Sequence, residues 1–340
     1  MDDTATAGRT PVEDGFRMPP EWAPHEGCYM AWPCNVRVWG DCFVETRAAY
    51  AAVAAAISRF EPVTMLATPE TADGARTALP SEITVLEAPL DSAWMRDNGP
   101  IFVASDSGEV ALVDFEFNSY GGKFPPYDRD AAVPRFLAEH LGMRRYAAPM
   151  VLEGGAFNVD GEGTLLTTEQ CLLNPNRNPG LSREEIEELL AAFLGIDKVL
   201  WLTSYAAHDL TDGHVDGQAA FVGPGVVVVA RSEENDNVER LRTSTDARGR
   251  RLEVIELPKP EPEHWKGRRL AKSYINFYIA NGGVVLPVYG DRSDKEAVAV
   301  LADVFTDRDV VPVDGRPISY GGGIVHCITQ QHPKGAASRA

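Results

Sequence analysis

Five polar residues mark the chain at nearly even intervals. Asp97, Glu153, His214, Asn276 and Cys327 stand 56, 61, 62 and 51 residues apart, each following or ending a strand-like run. A period of roughly 60 residues points to a modular, propeller-like architecture that gathers the five landmarks at one end of a ring. No internal sequence identity reinforces the spacing. Between the landmarks, short β-rich runs alternate with helical ones and no long linker intervenes, which predicts one α/β domain. Val63–Leu66, Ile83–Leu86, Ile101–Val103, Val199–Leu202, Gly225–Ala230, Leu252–Leu257 and Val284–Pro287 read as buried strands. Thr46–Phe60 and Asp294–Phe305 read as helices. A third opens at Ser182, with Glu185 three residues on in a capping-box pattern, and stops at Gly195. Residues 1–15 and 333–340 are expected to be flexible tails flanking a single domain over 16–332.

Composition narrows the function. The 340 residues carry 50 acidic against 32 basic side chains, a net charge of −18, which argues against nucleic acid and favours a cationic ligand. The longest apolar run, Val226–Ala230, is far too short to span a bilayer, and the start of the chain lacks a signal-peptide pattern. Five scattered cysteines form no disulfide framework. The expected compartment is the cytoplasm. A homo-oligomer is compatible with the sequence.

Three motifs carry chemistry. Cys327 follows Gly321-Gly322-Gly323 and precedes the β-prone pair Ile328-Thr329. Glycines tolerate positive φ and close approach, so a cysteine there is placed like a nucleophile at the mouth of a site, although a free cysteine is ordinarily a small buried core residue. Glu153-Gly154-Gly155 follows Val151-Leu152, presenting a carboxylate at a strand end. In Thr211-Asp212-Gly213-His214-Val215-Asp216, His214 and Asp216 share one face if the segment is extended. A His-x-Asp pair can bind metal, but the other histidines supply no obvious ligand set, so His214 reads as a general acid/base. A thiol, a histidine and several carboxylates together suit a planar cation such as guanidinium, which carboxylates grip through paired charge-assisted hydrogen bonds.

The chain resembles the agmatine deiminase family of guanidine-modifying enzymes. The resemblance runs through Pro19–Glu26, Met30–Pro33, Trp94–Asp97, Tyr120–Phe124, Glu153–Gly155, His214–Asp216, Ser273–Tyr278 and Gly321–Gln331. It implies a five-bladed pseudo-symmetric α/β propeller (the pentein fold) of ββαβ units. It also implies a covalent mechanism with Cys327 as nucleophile and His214 as acid/base. Asp97 and Asp216 would bind the guanidinium, with Glu153 supporting it and His214, Trp94 lining the channel and Gly322 beside the substrate. No metal or cofactor is implied; the partner is a small cationic guanidino compound.

One position departs from the family pattern. Many members carry Glu-Thr-Asn-Gly before the catalytic histidine, whereas this chain has Leu210-Thr211-Asp212-Gly213. Asp209 or Asp212 is expected to take over recognition of a distal amine. Otherwise the substrate is another alkylguanidine, handled by a hydrolase or by an amidinotransferase; a catalytically idle guanidine-binding protein is the remaining alternative.

Overall fold

A computed structural model describes residues 8–204, 209–232 and 236–335, and it is mixed α/β. Five of its sheets share one plan. A first strand pairs antiparallel with a second, and the chain then crosses over through a helix to a third strand lying parallel to the second. This holds for Ile101–Ser105, Val110–Glu116 and Arg145–Val151, and for Phe157–Val159, Thr164–Thr168 and Lys198–Leu202. It recurs in Ala219–Gly223, Val226–Ala230 and Glu253–Leu257, and in Tyr278–Ala280, Gly283–Val288 and Asp309–Asp314. In the fifth sheet the first strand comes from the far end of the chain. Thr329–Pro333 pairs antiparallel with His25–Ala31, which runs parallel to Val63–Ala67, and Thr84–Glu87 adds an edge strand. The two ends of the chain thereby close on each other, in register Thr329 with Met30 and Gln331 with Cys28.

Local sequence explains the elements. Val226–Ala230 is a run of valines flanked on both sides by partner strands, and its three central residues are buried, as a β-branched strand at the middle of a sheet should be. The Arg183–Leu194 helix carries the full capping box: Glu185 N donates to Ser182 Oγ at 3.2 Å, and Ser182 N donates to Glu185 Oε2 at 2.7 Å. Such caps contribute about 1 kcal/mol. The helix ends where Gly195 adopts φ 78°, a left-handed turn that glycine takes without a Cβ penalty. The other expected helices form at Phe43–Ser58 and Asp294–Val304.

Parts of the expected tails make contacts with the fold. Val12–Asp14 makes a turn, and Asp14 Oδ2 accepts the Tyr146 hydroxyl at 2.7 Å. At the other end Pro333 is still in a strand, and Lys334 N donates to Pro24 O at 2.7 Å. Residues 1–7 and 336–340 of those tails lie outside the described residues. Among the described residues no helix is long and apolar enough to cross a membrane.

The period of the polar landmarks now has a structural meaning. Asp97, Glu153, His214, Asn276 and Cys327 each sit in the short turn immediately before the first strand of a sheet. One sheet plus its crossover helix takes roughly 60 residues, so the landmarks recur at the same corner of each unit.

Candidate active site

The five corners meet. A Cβ added at Gly155 would lie 2.6 Å from His214 Nδ1, 2.9 Å from Asp97 Oδ1 and 3.0 Å from Asp216 Oδ2. Those three side chains therefore converge on one point of backbone that only glycine can occupy. Gly155 N also donates to Asp97 Oδ1 at 2.9 Å. Cys327 lies in the turn His326–Ile328, 8% exposed, with Sγ 3.4 Å from Asp216 Oδ2 and 3.4 Å from Asn276 Nδ2. The strand expected at Ile328 starts one residue later, at Thr329.

His214 and Asp216 share the site by a different route from the one expected. The segment is not extended: His214 precedes a 3-10 turn, Val215–Gly217, which carries Asp216. The turn, rather than the alternation of a strand, brings both side chains to one side.

Carboxylates crowd this space and set its electrostatics. Burial raises the Asp97 pKa to about 6; His214 opposes the rise, and Asp216 and Glu153 add to it. The Tyr120 hydroxyl donates to Asp97 Oδ2 at 2.9 Å. Burial disfavours a charged His214, but Asp97, with Nδ1 3.7 Å from its Oδ1, outweighs it together with Cys171 and Glu153 and holds the imidazole pKa well above its ordinary value. Burial pushes the Cys327 thiol well above the usual range, and Asp216 and Asp97 push it further. The site thus favours a neutral thiol at Cys327 and a charged imidazolium at His214.

A second layer, invisible in the sequence motifs, holds these groups. His326 Nδ1 lies 3.0 Å from Asp216 Oδ2, and its Nε2 lies 2.9 Å from Glu21 Oε1. A ring with a carboxylate on each nitrogen donates from both only as imidazolium. Burial and Arg96 work against that charge, while Glu21 and Asp216 outweigh them and raise the His326 pKa. Burial raises the Asp216 pKa; His326, helped by His214, overrides it and lowers the pKa below its ordinary value. On the other flank, buried Arg177 donates from Nε to Glu153 Oε1 at 2.8 Å and from Nη1 to Asp212 Oδ2 at 2.6 Å. Arg177 sits in Asn174-Pro175-Asn176-Arg177-Asn178-Pro179, a stretch of turn formers whose one long cation was its only signal.

The glycine run packs against tryptophans. Of the three, only Gly322 takes a positive φ, 102°, and its added Cβ would meet Leu210 Cδ1 at 2.6 Å. Gly321 lies against Trp39, and Gly323 against Trp94. Trp94, buried, packs on Trp39 with ring centroids 5.5 Å apart.

Asp212 and Asp209, the acids expected to recognise a distal amine, both have partners within the chain. Asp212 is occupied by Lys123 Nζ at 2.7 Å, Asn176 Nδ2 at 2.9 Å and Arg177. Asp209 Oδ1 caps its own turn by accepting Thr211 N at 2.8 Å and Thr211 Oγ1 at 2.6 Å. Leu210 is 44% exposed beside Gly322. Nor is His214 without metal-binding neighbours, as the sequence suggested. Glu153 and Cys171 stand beside it, and the ligand atoms of the three lie within 4.8 Å of one another.

Comparison with known proteins places this geometry in context. A family model for Porphyromonas-type peptidyl-arginine deiminases matches residues 17–333. The agmatine deiminase of Stutzerimonas stutzeri is 45% identical, over 96% of this chain and 98% of its own. A structure of Enterococcus faecalis agmatine deiminase superposes with a TM-score of 0.93 at 39% identity, covering 97% of this chain and 99% of that one. A dimethylarginine dimethylaminohydrolase, at 13% identity and a TM-score of 0.54, shares the fold over 90% of this chain and 99% of its own.

Proposed function

We propose the reaction from one premise: the chain belongs to the Porphyromonas-type peptidyl-arginine deiminase family, among relatives that are agmatine deiminases. It is a hydrolase of the amidine C–N bond, converting agmatine to N-carbamoylputrescine and ammonia. The observation that carries this reading is the convergence of His214, Asp97 and Asp216 on Gly155, with the Cys327 thiol 3.4 Å from Asp216. Residues 16–332 act as one catalytic domain, and its five like sheets are the blades of a five-fold α/β propeller.

The roles follow from charge. Asp97 and Asp216 oppose ionisation of the Cys327 thiol. A bound guanidinium, gripped by those carboxylates, replaces that repulsion with attraction and lets Cys327 release its proton to solvent as the substrate binds. The thiolate attacks the guanidinium carbon. His214, held as imidazolium, gives its proton to the departing nitrogen, and ammonia leaves an amidino group on Sγ. Neutral His214 then deprotonates a water, the hydroxide adds to the same carbon, and collapse breaks the C–S bond to free the ureido product. Glu153, fixed by Arg177, lies beside His214 and its charge favours the imidazolium. Trp94 and Gly322 border the passage for the aliphatic arm, with Leu210 at its rim.

The test is a product screen with agmatine, arginine and 4-guanidinobutyrate, scored for ammonia and ureido product. Agmatine is expected to be turned over with the highest kcat/KM. A clear preference for guanidinobutyrate overturns the substrate assignment, and transfer of the amidino group to an added amine overturns the hydrolase.

A further inference from the structure

We propose that Glu153, Cys171 and His214 form a Zn2+ site that arrests the enzyme by taking its acid/base histidine out of use. Among the described residues it is the one group of three whose ligand atoms, all within 4.8 Å of one another, could close on an ion. All three residues are buried. Cys171 forms no covalent bond and carries no proton in deimination as proposed, yet the fold fixes that thiol beside the catalytic ring. The Thr168 hydroxyl accepts from Cys171 N at 3.3 Å and donates to Gly213 O at 2.5 Å, which ties the cysteine's turn to the residue before His214.

Three buried polar atoms in this corner lack a hydrogen-bond partner: Glu153 Oε2 and both ring nitrogens of His214. Arg177 engages only the other Glu153 oxygen, Oε1. One thiolate, one imidazole and one carboxylate make a borderline-soft set that suits Zn2+ with a fourth position left for water. The negative charge of Asp97 and Asp216, which attracts a guanidinium, also favours a dication beside His214. Binding forms Zn–S, Zn–N and Zn–O bonds and expels the Cys171 thiol proton and the acidic proton of His214, so affinity falls as pH falls. An imidazole bound to metal through either nitrogen is no longer an imidazolium, so it cannot protonate a leaving ammonia. Only this consequence rests on the deiminase reading; the binding itself does not.

The test uses Zn2+, and Co2+ as its coloured substitute, on the full chain carrying Cys327→Ala, which removes the nucleophile as a competing ligand. One metal per chain is expected by calorimetry, together with a thiolate-to-Co2+ charge-transfer band, and agmatine should displace the metal. Adding Cys171→Ser should abolish the band and weaken Zn2+ binding by at least about tenfold, the least expected when a direct ligand goes. In the unmutated enzyme Zn2+ should inhibit, and a chelator should restore turnover. Loss of metal in Cys327→Ala alone would move the site to the nucleophile and overturn the proposal. So would a band or affinity that Cys171→Ser leaves unchanged. If the double variant does not fold, failure of agmatine to displace the metal from Cys327→Ala overturns it. Should agmatine prove not to be a substrate, the metal titrations still decide the site.

Discussion

Replacing His326 with asparagine removes the cation that sits between Asp216 and Glu21, 3.0 Å from one and 2.9 Å from the other. Asp216 then keeps the burial that opposes its charge and loses the largest influence favouring it. In the wild type its depressed pKa leaves it ionised throughout the neutral range. In the variant the pKa rises, so the acid limb of the kcat/KM profile moves toward neutrality. Stranding one partner of a buried charged pair typically costs about 2–5 kcal/mol. At about 1.4 kcal/mol per decade, kcat/KM at neutral pH should drop roughly 30- to 4000-fold, with KM rising because guanidinium binding is lost. The assay is ammonia release against agmatine concentration across pH, with circular dichroism as a check on folding. The double variant His326→Asn/Glu21→Gln separates structure from function: it relieves the stranded Glu21 charge and should recover stability without recovering kcat/KM. An unmoved acid limb with near wild-type kcat/KM would refute the reasoning, and so would full catalytic recovery in the double variant.

Other outcomes follow from the same geometry. Gly155→Ala drives a methyl to within 2.6 Å of His214 Nδ1, so it should cost about 1–3 kcal/mol of stability on thermal melting while kcat collapses by more than the fold loses. Glu21, its pKa held near 2 by His326 and Arg96 despite burial, contributes stability that is full above its unfolded value of 4.5. That share, on the order of 3 kcal/mol, should disappear as pH falls from about 5 toward 2, and urea titrations of wild type and Glu21→Gln should converge there. Exhaustive chelation should leave deimination intact, since a guanidinium is already an activated electrophile; loss of activity that added Zn2+ restores would contradict the mechanism.

How much of this was legible beforehand depends on sequence distance. The strand and helix pattern was readable because it is local: the Ser182–Glu185 capping box and the valine run at 226 each declare themselves within a few residues. The even spacing of the landmarks was readable too, because each unit places its polar residue at the same corner. What supports that corner was not. Glu21 meets His326 across 305 residues, and Arg177 reaches Glu153 from an irregular loop. No periodicity encodes such pairings, because they arise only when separate units close on one another. Cys171 was passed over for the same reason: in sequence it is one more small apolar residue, and only the packing of its turn against Gly213 sets it beside His214. Nothing in the local sequence shows that Asp212, the acid expected to read a distal amine, pairs with Lys123 and Arg177.

The central claim is that Cys327 forms a covalent bond to the substrate carbon during turnover. Intact-mass and peptide analysis of a rapidly quenched reaction with agmatine should find the mass of an amidino group on Cys327 and on none of Cys28, Cys34, Cys42 or Cys171, with no turnover in Cys327→Ala. Turnover retained in Cys327→Ala, or an adduct on another cysteine with Cys327 unmodified, would contradict the account.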